Sequence, residues 1–197
     1  LQTMKSGWYP LFTHYFKPGK AYLGGDFFFP KTGKPDCVTF VDSLKTPEQD
    51  VVIRHLLVSG QIFASGGSVS NCLVHPSVRQ SAHQKFASNI NAELEWCKTN
   101  LTGALSAELK KQFMLLNPDK SGKVTFNQLM DAVTKILIND EAKIIVMNGK
   151  TDVENDEYAE GCNFVIGGNT LGRGVTFPSL QTIYYTRTAK KPQADTM

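Results

Sequence analysis

From residue 46 onward, apolar residues fall into helical stripes and short continuous runs; before it they form an aperiodic aromatic scatter. Val51, Ile53, Leu56, Leu57, Ile62 and Phe63 are apolar on most sides of a 3.6-residue period, which predicts a well-buried helix. Thr46 is placed to cap it, with Pro47 at its first position and Glu48 in its first turn, and Gly66-Gly67 to end it. Cys72-Leu73-Val74 reads as a short buried strand. Ala82, Phe86, Ile90, Leu94, Cys97 and Leu101 recur every three or four residues and predict a long amphipathic helix. Leu105, Leu109, Phe113 and Leu116 mark another, and Phe126, Leu129, Val133 and Ile136 a third. Ile144-Ile145-Val146-Met147, Phe164-Val165-Ile166 and Thr182-Ile183-Tyr184-Tyr185 are apolar runs of strand length. Strands alternating with helices predict an α/β fold, a parallel sheet with helices on its faces.

Residues 1–40 have no helical period. Trp8, Tyr9, Phe12, Tyr15, Phe16, Tyr22, Phe27, Phe28 and Phe29 are interleaved with glycine and proline. So many large rings predict an ordered arm lying on another surface, since flexible linkers avoid them. The expected division is therefore an arm over 1–40 and a domain over 41–197.

Bulk properties narrow the picture only a little. At 197 residues and 41% hydrophobic, the chain has enough apolar material for one sizeable domain. A formal charge of +3 permits nucleic-acid binding without arguing for it. Cys37, Cys72, Cys97 and Cys162 are scattered without a C-x-x-C pair, which points to a reducing cytoplasm and away from a zinc site. No apolar run approaches the roughly 18 residues of a membrane span, so no membrane partner is expected. Leu1 and the Lys190–Met197 tail lead us to expect an excerpt of a longer protein.

The chemistry concentrates in one stretch. Phe164-Val165-Ile166 runs into Gly167-Gly168-Asn169-Thr170-Leu171-Gly172-Arg173-Gly174, a turn with four glycines and one arginine. Glycines permit close backbone approach to a phosphate, and a guanidinium offers a planar fork for one. A tight αβ turn would use the same residues, so this pattern alone leaves both readings open. His75 ends the predicted strand at 72–74 and His83 lies in the first turns of the next helix. That is a favoured place for ligands, although isolated histidines more often cap or fill locally.

Three further patterns are weaker. Gly149-Lys150-Thr151 resembles the end of a P-loop, but the position that requires glycine holds Ile144 and the following segment is acidic. Asn117–Gly122 resembles a calcium loop with Gln128 where a bidentate glutamate closes the shell, and a helix–turn–helix connection is expected instead. Asp119, Glu141 and Lys143 match the loose P-D…E-x-K spelling of magnesium-dependent nucleases, which would need all three to converge at a strand edge.

The string FVIGGNTLGRGVTFPSL…YYTRTAKKPQADTM resembles the Z-one domain, which follows a DEAD-type ATPase lobe in bacterial restriction and defence proteins linked to endonucleases. NCLVHPSVRQSAHQKF resembles that domain's strand-and-histidine segment, and YFKPGKAYLGGDFFFP its interlobe connector. The resemblance covers nearly the whole chain. It implies a three-layer RecA-like fold of the P-loop NTPase type, the second lobe of a superfamily-two helicase-like motor. Gly168 to Gly174 would be the fifth helicase motif, with Arg173 and Gly174 as its core. Thr176 stands where helicases carry an aspartate.

On this resemblance His75 and His83 are interlobe or nucleotide-state residues, and Gly167, Gly168, Asn169, Thr170, Arg173 and Gly174 contact phosphate or couple sites. ATP and Mg2+ are cofactors of the parent, with none expected on this stretch alone. No complete catalytic set is expected, because the first lobe would precede Leu1 and the sixth motif would follow Met197. Expected partners are double-stranded DNA, the DEAD-type ATPase lobe and a nuclease domain or subunit, with dimerisation through the exposed arm as a further outcome. Two rivals stand beside the motor: a magnesium-dependent endonuclease built on Asp119, Glu141 and Lys143, and a non-catalytic interaction module.

Overall fold

The computed structural model describes residues 31–33, 43–77, 79–116, 123–147, 158–168 and 177–185. By its contacts the chain divides into Leu1–Phe40 and Val41–Met197, and the described helices and strands all lie in the second unit. The aromatic residues of the arm, Asn117–Gly122, and Gly149-Lys150-Thr151 lie outside the described residues.

Helix α1 spans Pro47–Ala64. Thr46 Oγ1 accepts from the Gln49 backbone N–H at 3.1 Å, closing one of the open donors of the first turn. Asp50 accepts from the Leu44 N–H at 3.1 Å and pairs with Arg54 at 3.0 Å, which fixes the entering chain. Strand β1 (Val69–His75) follows, then α2 (Gln80–Thr99) and α3 (Ala104–Leu116). Helix α4 (Phe126–Ile138) starts in a capping box, with Thr125 and Gln128 each holding the other's backbone N–H. Gln128 is thus engaged at the position where the calcium pattern wanted its closing ligand. Three strands are the remaining described elements: β2 (Ala142–Met147), β3 (Gly161–Gly167) and β4 (Leu180–Tyr185).

All four strands are parallel, in the order β2-β3-β1-β4. Side chains alternate across the pleat. Cys72, Val74, Cys162, Phe164 and Ile166 face the helices and join Val52, Leu56, Ile90, Leu94, Leu129, Val133 and Ile136 in the main core. Helix α1 lies against β1 and β4, α2 against β2 and β3, and α4 packs along α1. On the opposite face Ile145, Met147 and Val165 pack with Tyr158 and Phe177, which belong to the β2–β3 and β3–β4 connections. The expected parallel sheet with flanking helices is therefore the observed one, in a three-layer-like arrangement. Right-handed crossovers account for it. Moving from β1 to β2 and then back through β3 to β4 reverses direction across the sheet once, so the first connection uses the helix face and the two later ones the opposite face.

Gly60 sits where α1 meets α4. A Cβ there would lie 2.7 Å from Val133 Cγ2 and 3.2 Å from Leu129 Cγ. Overfilling a packed crossing costs on the order of 1–3 kcal/mol. The Gly60→Val protein is expected to lose about 2 kcal/mol of unfolding free energy in urea titration. An unchanged midpoint would contradict the close crossing.

Candidate functional site at the carboxyl edge of the sheet

Strands β1 and β3 are neighbours, and their exits part. Beyond His75 the chain turns through Pro76 and Ser77 into α2, on the helix face. Beyond Gly168 the next described residue before β4 is Phe177, on the other face, where it packs on Tyr158 with ring centroids 5.1 Å apart. Adjacent strands whose connections leave on opposite faces open a crevice at their carboxyl ends, the usual ligand position in open α/β sheets.

Two of the sequence-selected residues meet there. His83, in the first turns of α2, is buried, and its Nε2–H donates to the Ser77 carbonyl at 2.6 Å. Gly168 follows β3 directly. A Cβ at Gly168 would lie 3.2 Å from His83 Cε1, so the glycine lets the loop sit against the imidazole. Ser77 Oγ also accepts from the Arg79 N–H at 3.2 Å, so this residue holds both the ring and the approach to α2. No side-chain cap bond occupies the start of α2, its first turn carries no acid, and Arg79 and Gln80 are exposed. Gly167 and Gly168 are themselves buried. His75, at the end of β1, is buried with its ring 4.9 Å from that of Tyr185, its register partner on β4. Asn169, Thr170, Arg173 and Gly174 lie outside the described residues.

The nuclease pattern falls elsewhere. Glu141 immediately precedes β2 and Lys143 is its second residue, at the amino edge of the sheet, opposite the crevice. Glu141 Oε1 accepts from Asn139 Nδ2 at 3.2 Å, and Lys143 is exposed. Asp119 is outside the described residues. Among the described residues no group of three His, Cys, Asp or Glu side chains converges, and no helix is long and apolar enough to cross a membrane. Cys72, Cys97 and Cys162 are buried thiols. Burial pushes Cys97 and Cys162 up to about 12 and raises Cys72 as well, so none is a ready nucleophile.

Two buried polar clusters were not anticipated. On the helix face His55 Nδ1 lies 3.1 Å from Thr182 Oγ1, and Ser59, one turn on, donates to Ser70 Oγ at 2.9 Å and accepts from Cys162 Sγ at 3.4 Å. A histidine and a serine four residues apart among the apolar residues of α1 were the available signal. On the other face Asn71 and Asn163, in register on β1 and β3, share a bond of 2.8 Å and hold the carbonyls of Tyr158, Glu160 and Pro178. They tie both back-face connections to the sheet.

The sequence profile of the Z1 domain matches residues 53–197, from within α1 through all four strands and the glycine loop. The chain belongs to the Z1 domain family. Z1 domains are associated with endonucleases and defence systems. No curated protein and no solved structure matches the chain. Within this Z1 domain, the histidine segment and the start of the glycine loop are the two stretches that meet at the crevice.

Proposed function

We propose that this Z1 domain is the second, RecA-like lobe of an ATP-driven DNA motor in a restriction or defence protein. Its glycine stretch, Gly167 to Gly174, couples nucleotide state to grip on duplex DNA. The observation that carries the reading is the His83–Gly168 contact at the carboxyl edge. A displacement of the loop beyond β3 must move His83, and with it the Ser77 turn that leads into α2. A ligand at one wall of the crevice is thereby felt at the other. Arg173, placed by sequence in the same loop, supplies the guanidinium for a phosphate. In the parent, ATP and Mg2+ belong chiefly to the DEAD-type lobe, and the output is a nuclease domain or subunit.

The test is made in the full-length protein. Arg173→Ala is expected to lower DNA-stimulated ATP hydrolysis by roughly ten-fold or more, the range of a coupling free energy between sites, with an unchanged melting temperature. Gly168→Ala, which displaces the His83 ring by a few tenths of an ångström, gives a smaller loss. Unimpaired stimulation in Arg173→Ala overturns the motor reading in favour of a non-catalytic module. Magnesium-dependent nicking that disappears in Glu141→Ala overturns it in favour of an endonuclease.

A further inference from the structure

Away from the crevice, the chain entering α1, the last turn of α2 and the start of α3 enclose a pocket of about 340 Å³. Leu44, Ile53, Trp96 and Ala104 give it apolar walls, and Glu108 and Lys45 are its charged groups. The Glu108 carboxylate is held in place. Its Oε1 accepts from Gln112 Nε2, one turn further along α3, at 2.8 Å. Gln112 is only 1% exposed, and its own oxygen accepts from Arg54 at 3.4 Å. Arg54 in turn pairs with Asp50 at 3.0 Å. A relay from α1 thus fixes a carboxylate on α3. Yet that carboxylate has no counter-ion: among the described residues the ion pairs are Arg54 with Asp50, and Lys98 with Glu95 and Asp140. A half-buried anion bonded to a neutral amide, beside a half-buried indole, is a receptor for a cation.

We propose that this pocket takes an arginine side chain of a partner protein, its guanidinium against the Trp96 indole and bonded to Glu108. Arginine suits it better than lysine. A guanidinium is planar, stacks on aromatic rings, sheds water readily and offers a fork of donors to a carboxylate. The apolar walls suit its methylene stem. One Glu108 oxygen is already engaged by Gln112, and the carboxylate keeps acceptor capacity for the incoming fork. Lys45, the other charge on the pocket, is exposed and makes no ion pair with Glu108. It opposes the ligand only through solvent, a small effect beside a direct charge-assisted bond. The pocket shares no residue with the crevice, so the proposal stands independently of the motor reading.

Nuclear magnetic resonance of the nitrogen-labelled 197-residue chain tests it through the indole N–H signal of Trp96, identified by its absence in Trp96→Phe. The probes are N-acetylarginine amide and its citrulline counterpart, which has nearly the same shape and no charge. The arginine probe is expected to shift the signal saturably, with the citrulline probe roughly ten-fold weaker or worse. Glu108→Gln keeps an oxygen for Gln112 and should weaken the arginine probe roughly ten-fold, the scale of one hydrogen bond to a charged group. An unchanged urea midpoint confirms that this variant folds as the parent does. Lys45→Ala should tighten the arginine probe roughly two-fold. No shift in the parent chain overturns the proposal. Equal binding of the citrulline probe, or an unaffected Glu108→Gln protein, overturns it by showing a merely apolar pocket. Weaker binding in Lys45→Ala overturns it in favour of an anion. A dimer in sedimentation that Glu108→Gln disperses overturns it by giving the pocket to a second copy.

Discussion

The Asn163→Asp protein is expected to be about 4 kcal/mol less stable than its parent at pH 7, enough to leave a marginal domain largely unfolded. Asn163 is fully buried, and its Nδ2 faces only acceptors: Asn71 Oδ1 at 2.8 Å, the Glu160 carbonyl at 3.1 Å and the Tyr158 carbonyl at 3.4 Å. Its Oδ1 meets no donor among the described residues. A carboxylate in that place would turn two anionic oxygens onto carbonyls. Flipping Asn71 to offer its amide does not help, because Asn71 Nδ2 already serves Tyr158 and Pro178. Only the protonated acid could donate, so the deficit relative to the parent should be smaller at pH 5 than at pH 8. Urea unfolding at the two pH values measures both. Parental stability at pH 8 would show that the asparagine pair is not the tie between the sheet and its back-face connections.

That pair also marks where sequence reasoning stops. The centre of every described helix and strand was legible, because burial on one face imposes a period on apolar residues. Thr46 and Pro47 located the start of α1, and the cap bond to Gln49 confirms it. The first residues of β1 were not legible. Ser70 and Asn71 are polar, and their burial depends on partners 11 and 92 residues away, Ser59 and Asn163. A buried polar residue looks like a loop residue until its partner is known. Strand order was equally hidden: nothing local places β4 beside β1. The site was half legible for the same reason. His83 and Gly168 could each be singled out from spacing, but their contact requires β1 and β3 to be neighbours. Tyr185 reads as one more apolar strand residue until the edge position exposes it and His75 comes to lie behind it.

The adjacency of β1 and β3 therefore organises everything proposed at the carboxyl edge. It brings the histidine segment against the loop, sends the two connections to opposite faces, and leaves β4 outside as the exposed edge.

Mild acid is expected to destabilise the fold through His55, which none of the functional proposals uses. Burial holds this imidazole down from 6.5 to about 4, while backbone groups of Ser70 and Asn163 pull partly the other way. Its surroundings explain the direction: the Phe164 ring lies edge-on at 4.8 Å, and the Thr182 and Ser59 hydroxyls are neutral. Among these described neighbours nothing is anionic to stabilise the imidazolium. The unfolded chain takes up a proton near pH 6.5 and the folded one does not until near pH 4. Stability contributed by the neutral ring is therefore complete above about pH 6.5 and is lost as pH falls towards 4, by about 3 kcal/mol in all. The His55→Gln protein lacks this proton uptake. Subtracting its stability–pH curve from that of the parent isolates the effect from the carboxylates, which titrate in both. A difference curve that is flat between pH 6.5 and pH 4 would show that His55 is charged, or solvated, in the folded protein.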